Sequence, residues 1–388
     1  MVRSGYDIII VGGGILGISH AYYCLKAGYN VALIERNSYV QDASVRNFGQ
    51  VIPSGFSSKW QAYGLESLRF YNEVQQKVDI TARKEGTVYI ASNQEEVQLI
   101  EELAAINKKN GYISQLLSQN NCLNMYPGIN DSYAKAGLLF PEEVVVDPRN
   151  ALPRLIDYCV EQLSLHYIPN TTIKEIVHTN GTVTLESVSG KKWTAGKVFV
   201  CSGNEFQLLY PDLFSKSDIK IVKLQMMDTM PQANVKIKGG VLTGWTIRRY
   251  ESFQDCPSWA DIKSRENKND FHQQHGVHIL FKQLQDGSVV IGDSHHYTPI
   301  AKSAVPDFDT DAALNSYMIE EAKKIYSLDN WQLRNTWLGF YAQCESREIF
   351  RETIDEHIHI ITAIGGKGMT ASPGYAKETV AELLSVNV

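Results

Sequence analysis

The 388-residue sequence has little of what marks the specialised protein classes. Cysteine is sparse: Cys24, Cys122, Cys159, Cys201, Cys256 and Cys344 are widely spaced, with no CxxC pair. That spacing excludes a zinc ribbon or a redox dithiol and predicts reduced, buried thiols in a cytoplasmic protein. Internal repeats, low-complexity tracts and charge blocks are missing, so disorder and repeat architectures find no support. No excess of positive charge is present either. The net charge is 37 − 43 = −6, which gives no general attraction for nucleic acid or an anionic membrane. The early apolar run from Ile8 to Ile18 is diluted by four glycines and is far shorter than the roughly 20 residues of a membrane span. With no cleavage site after it, the run reads as neither span nor signal peptide.

What is there is the composition of a globular protein, 44% hydrophobic and 21% charged, long enough for two or three domains. The N-terminus is sharply patterned. Tyr6 to Val11 reads as a buried strand, Gly12 to Gly17 as a tight turn, Ile15 to Ala27 as a helix closed by Gly28, and Val31 to Glu35 as a second strand. Within this βαβ unit Gly12, Gly14 and Gly17 form GxGxxG. The first permits the turn, the second lets backbone approach a pyrophosphate, and the third lets helix and strand pack closely. Glu35 stands where a carboxylate accepts hydrogen bonds from an adenosine ribose. Its neighbour Arg36 reads as a solvated charge or an adenine neighbour, not as a ligand of an NADP phosphate.

Three later segments bear on which dinucleotide binds. Ser44 to Gly49 is a polar turn soon after Glu35. Lys197 to Gly203 is a late buried strand ending in small residues. His359 to Thr370 is a strand running into a glycine-rich turn and then a helix. Such a turn offers a second helix N-terminus to an electron-rich ring edge, which NAD alone does not need.

On these residues the sequence resembles, over nearly its whole length, the D-amino acid oxidase family of FAD-dependent amine oxidases, which includes glycine oxidase and sarcosine oxidase. The resemblance implies non-covalent FAD held by Gly12, Gly14, Ile15, Leu16, Gly17, Glu35 and Arg36, and by the S-x-x-N-x-G turn of Ser44, Asn47 and Gly49. It also implies contacts from Ile173, Ser202 and Gly203, and from the C-terminal turn Gly365, Gly366, Lys367, Gly368, Met369 and Thr370. The implied fold is α/β, a Rossmann-type FAD domain (residues 1–79, 142–217 and 337–388) with an inserted α+β substrate domain (80–141 and 218–336). Locally, Gln94 to Asn110 reads as a helix, and Asp147-Pro148 opens another that runs to Leu163. Residues 219–300 read as the mostly antiparallel sheet of the second domain, with strands including WTIRRY and GSVVIGDSHH. The stretches NFGQVIPSG, GDSHHY and GGKGMT are most similar to a clade often encoded beside phosphonate-degrading enzymes.

Candidate chemistry falls on few residues. His295 and His296 end a strand, so alternation lets at most one face a pocket. Lys367 and Arg46 are candidate donors to an anionic substrate or the flavin. Arg248 and Arg249, read as strand residues, divide between two faces, and Lys223 is a further strand cation. The family commonly carries W-x-G-x-R where this chain has Trp337-Leu-Gly-Phe-Tyr341. Tyr341 thus replaces the arginine that pairs with an α-carboxylate. Cys344 stands too late for the flavin tether of some relatives. The resulting expectation is oxidation of a small amine by hydride transfer to flavin N5, without a side-chain base or a metal, and reoxidation by oxygen or another acceptor. The expected substrate is anionic, an aminophosphonate such as 2-aminoethylphosphonate or an N-alkyl derivative. FAD-dependent oxidation of glycine, sarcosine or a D-amino acid is the alternative, and an NAD(P)-dependent dehydrogenase or a non-catalytic or RNA-modifying flavoprotein are more distant ones.

Overall fold

The computed structural model describes residues 5–300 and 306–387. The first strand, Gly5–Val11, pairs in parallel with Val31–Ile34 on one side and Lys192–Val200 on the other. Beyond exposed Asp7 its residues are apolar on both faces because both are covered there. Ile8 and Ile10 enter one core with Ile18, Tyr22 and Val380, while Ile9 enters another with Ile34, Val198 and Ile360. Ile358–Thr362 joins the sheet in parallel beside Lys192–Val200. The Ile15–Lys26 helix ends as predicted, with Gly28 at φ +89° just beyond it.

A second sheet runs in the order Leu333–Gln343, Lys220–Thr229, Val289–Pro299, Leu280–Gln283, Gly240–Leu242, Thr87–Ala91, Ala136–Phe140, Gln115–Ser118. All of its pairings are antiparallel except that of Gly240–Leu242 with Thr87–Ala91. The helices Gln94–Asn110 and Pro148–Leu163 stand where their sequence signals place them, the second capped by Asp147 accepting from Arg149 N–H.

Two expectations need correction. Leu333–Gln343 crosses the expected domain boundary at 336/337, and its whole length pairs with Lys220–Thr229, so residues 337–343 belong to the second sheet. The WTIRRY segment is not a strand: Gly244–Ile247 is a helical turn that continues into further turns. Aromatic and β-branched residues suggested extension, but Arg248 leaves this turn to pair with Glu95 and Glu96 of the neighbouring helix, a tertiary contact that local pattern cannot contain. The six cysteines are free and buried, and among the described residues no helix is long and apolar enough to cross a membrane.

Candidate active site

A cavity of about 940 Å³ runs between the two sheets, and the turns picked out in the sequence converge on it. Gly12, Gly14, Ile15 and Leu16 line it with Glu35, Arg36, Ser44, Asn47, Gly49, Ile173, Ser202 and Gly203, as does the whole of Gly365 to Thr370. Gly17 does not. Its task is internal, since a Cβ there would stand 1.9 Å from Gly12 O. Gly12 sits at φ +107° with room for no Cβ, whereas at Gly14 a Cβ would point into the cavity region and meet only Ser44 Oγ at 3.1 Å.

The polar residues of these turns shape backbone. Glu35 Oε2 accepts from Gly13 N–H at 2.8 Å and Oε1 from Asn37 N–H at 2.9 Å, leaving lone pairs for a ribose. Ser44 Oγ accepts from Ile15 N–H at 3.0 Å. Asn47 clamps its own turn, donating to the Ala43 and Ser44 carbonyls and accepting from Gly49 N–H at 2.7 Å. Arg36 is engaged with Asp42 at 2.7 Å. At the far end, the Gly368–Leu384 helix continues from the 3-10 turn Gly365–Lys367 without a side-chain cap, and its N-terminus, with the dipole's positive end, borders the cavity.

The opposite wall comes from the second sheet, and a β-bulge decides its chemistry. Gln225 faces Ser294 while Met226 faces Gly292, so Asp293 is an extra residue in its strand. Beyond the bulge His295 and Tyr297 stand opposite Leu224 and Val222, on the cavity side, and His296 stands opposite Lys223. Without the extra residue, Ser294 and His296 would hold the cavity face. His296 instead contacts His275 at 3.0 Å, away from the cavity.

Asp293, His278 and His295 are all buried on this wall. His278 Nε2 lies 2.7 Å from Asp293 Oδ1, and its Nδ1 bonds Thr246 Oγ1 at 3.2 Å. His295 Nδ1 donates to Gly276 O at 3.1 Å and stands 3.9 Å from Asp293 Oδ1. Burial pushes the Asp293 carboxyl up, but the two imidazoles and Arg249 outweigh it and hold it down at about 2. Burial, and then the charge of Arg249, keeps His295 well below the ordinary histidine range. Donor atoms of the trio lie within 4.8 Å of one another, close enough for a metal ion. Arg249 sets a positive charge against one.

Arg249 is the residue the sequence reading left unassigned. It lies on the cavity wall, where Nη2 donates to Tyr297 Oη at 3.0 Å and Nη1 to Gly276 O at 3.4 Å. Among the described residues no carboxylate stands within 4.0 Å of it. Burial works against its charge, and Tyr297, Tyr341 and Asp293 together outweigh that. Two of the expected cations are committed elsewhere. Lys367 lines the cavity but pairs with Glu251 at 2.6 Å and Glu348 at 2.8 Å. Lys223 pairs with Asp307, whereas Arg46 lines the cavity too, donating to the carbonyls of Gln41 and Leu338 without an ion pair among the described residues. Tyr341 lines the cavity beside Arg249, near Gly366. Asp293, His278 and Arg249 had one sequence signal among them, the GDSHHY stretch, and the bulge that aims it has none.

The model for FAD dependent oxidoreductases of the DAO type matches residues 7–382. The chain belongs to this family. It is an FAD-dependent oxidoreductase of DAO-type α/β fold, and its glycine cradle, Glu35 and the two helix N-termini bordering the cavity fit the dinucleotide. The fold is shared with glycine oxidase from Geobacillus kaustophilus, at TM-score 0.77 and 17% identity, over 100% of this chain and 96% of that one. L-proline dehydrogenase from P. horikoshii gives 0.77 and 18%, over 99% and 94%. L-alpha-glycerophosphate oxidase from Mycoplasma pneumoniae, with FAD bound, gives 0.77 and 18%, over 99% and 96%. In sequence, glycerol 3-phosphate dehydrogenase from Caloramator mitchellensis is 25% identical over 142 residues, 34% of this chain. The match spans 30% of that relative's length.

Proposed function

We propose that this family member oxidises a small amine carrying an anionic group other than an α-carboxylate, with 2-aminoethylphosphonate or an N-alkyl derivative as first choice. The carrying observation is the pair Tyr341 and Arg249. Tyrosine holds the position of the family's usual carboxylate-binding arginine, while an arginine from a different segment faces the cavity without a carboxylate partner. A cation so placed has lost solvation and gains most from an anion. Phosphonate oxygens suit Arg249 together with the Tyr297 and Tyr341 hydroxyls.

Bound FAD supplies the two-electron acceptor. The chain's own residues orient the substrate, with Arg249 holding the anion and Asp293 facing the amine, so that the carbon bearing nitrogen can give its hydride to flavin N5. The resulting imine would hydrolyse to an aldehyde or oxo acid, and oxygen or another acceptor would take the electrons that the bound cofactor stores. The turns that line the cavity are proposed as the FAD contacts, in a discontinuous FAD domain with an inserted substrate domain. Six free thiols suit a reducing compartment, and we infer a cytoplasmic enzyme.

The test is anaerobic mixing of holoenzyme with a panel of amines while the visible flavin band is followed. Bleaching fastest with an aminophosphonate supports the reading; bleaching fastest with glycine or sarcosine overturns it. Arg249→Met should weaken the anionic substrate by roughly 1.5–3 kcal/mol, about 10- to 150-fold in KM.

A further inference from the structure

We propose that the anionic end of the substrate, by neutralising Arg249, turns His295 into the base that takes the proton from the substrate's ammonium. This rests on the amine reading above and adds a step to it.

The geometry couples the two side chains through one atom. Gly276 O accepts from His295 Nδ1 at 3.1 Å and from Arg249 Nη1 at 3.4 Å, so imidazole and guanidinium are held side by side. A carbonyl only accepts, so Nδ1 carries the hydrogen and Nε2 is left with its lone pair. Among the described residues Nε2 has no hydrogen-bond partner, and the ring lines the cavity. The groups facing it come from four segments. Asp293 and Tyr297 share its strand, and His278 comes from the segment before Leu280–Gln283, with ring centroids 5.3 Å apart. Tyr341 comes from Leu333–Gln343, and Arg249 from the turn after Gly244–Ile247. Asp293 is the one carboxylate among them.

A proton on Nε2 therefore meets the attraction of Asp293 and the repulsion of Arg249. Burial keeps the ring neutral, and the charge of uncompensated Arg249 reinforces this. An anion on the guanidinium removes the repulsion and leaves Asp293 to stabilise the imidazolium. A small aliphatic amine arrives as its ammonium, whose nitrogen has no lone pair to support hydride loss from the adjacent carbon. The N–H bond breaks, its electron pair stays on nitrogen, and the proton bonds to Nε2. The free amine then loses hydride to FAD, oxidised by two electrons as FAD is reduced, and the imidazolium returns its proton to solvent. His278, fixed by Thr246, is a positioning residue for Asp293. Selectivity for the anion then appears in kcat as well as KM, because an amine without it meets a weaker base.

The experiment is NMR titration of the histidine imidazoles in holoenzyme, with His295 assigned by difference against His295→Gln. The probe is methanesulfonate, an anion that does not titrate in this range. Wild type should show the His295 pKa rising by about one unit on adding the anion, a tenfold gain in proton affinity. In Arg249→Met the pKa should start higher and no longer respond. An unchanged pKa in wild type, or a response that survives Arg249→Met, overturns the coupling. Separately, His295→Gln should slow flavin reduction at saturating amine by about 10²–10⁴-fold at neutral pH. The rate should recover as the pH approaches the amine's own pKa. An equal loss at every pH would mean a structural role. If no amine bleached the wild-type flavin, the functional proposal would fail while the NMR result still judged the coupling.

Discussion

Replacing Gly12 with alanine tests whether the first turn is shaped by packing against the neighbouring strand or only by its ligand. The added Cβ would stand 2.2 Å from Cys201 O and 2.9 Å from Cys201 C, where ordinary contact begins at 3.4 Å, so backbone must separate by 3.4 − 2.2 = 1.2 Å. Neither side yields freely. Gly12 N–H donates to Ile34 O and Cys201 N–H to Val11 O, both at 2.8 Å, tying the turn and the strand end into the parallel ladder. Overpacking of this kind costs about 1–3 kcal/mol, and alanine at positive φ about 1–2 kcal/mol more. The sum, about 2–5 kcal/mol, is a large share of the roughly 5–15 kcal/mol that holds a domain folded. Gly14→Ala is the control, because its Cβ meets only Ser44 Oγ, at 3.1 Å. Urea unfolding of the flavin-free proteins should show a large fall in midpoint for Gly12→Ala and little change for Gly14→Ala. Flavin absorbance should show Gly14→Val folded and colourless. A Gly12→Ala protein with an unshifted midpoint and stoichiometric flavin would refute the packing argument, and a fully coloured Gly14→Val would refute the location of the cradle.

Three further outcomes follow from Glu35 and two buried ionisable groups. Glu35→Ala should weaken FAD binding in a flavin titration while the residual holoenzyme keeps its reduction rate, since the ribose is remote from N5; an equal loss of rate would count against that placement. Lys282 is buried with Val146 O as its acceptor, and burial lowers its pKa to about 7, so the unfolded chain binds the extra proton from there up to about 10.4. Wild-type stability should rise with pH across that window, and Lys282→Met should stabilise most at pH 7 and below; a mutant advantage equal at pH 6.5 and 9.5 in urea melts would exclude this. Glu143 is fully buried, accepting from Tyr112 Oη at 2.7 Å and Ser54 N–H at 2.8 Å, and burial raises it to about 7. The native state then holds the proton between about 4.5 and 7, so stability falls as pH rises through that window. Glu143→Gln should flatten that fall, and an unaltered pH slope would contradict it.

The dinucleotide unit was legible because everything that specifies it is local. Strand, glycines, helix and Glu35 fall within Tyr6 to Glu35, and each glycine's task follows from backbone sterics alone. The C-terminal turn was legible for the same reason, as were the caps at Asp147 and Gly28. The far wall was not. Alternation allowed at most one of His295 and His296 to face a pocket; a single extra residue at Asp293 turns His295 to the cavity, and no residue type announces a bulge. WTIRRY carried a strand-like pattern that the pairing of Arg248 with Glu95 and Glu96 overrode, and that same turn carries Arg249 to the cavity.

By itself the sequence determined the nucleotide-binding half of this protein, and it put Tyr341 where the resemblance implies an arginine. Which cations face the cavity was decided only in three dimensions. Lys367 had a better sequence position, yet Glu251 and Glu348 pair with it from segments that sequence does not bring near, while Arg46 also lines the cavity, held by the carbonyls of nearby Gln41 and distant Leu338. Arg249 faces the cavity beside Tyr297 and Tyr341 with a hydroxyl and a carbonyl as its hydrogen-bond partners, which solvate a charge without cancelling it. Charge can be counted along a chain, but whether it is already neutralised depends on what folds against it.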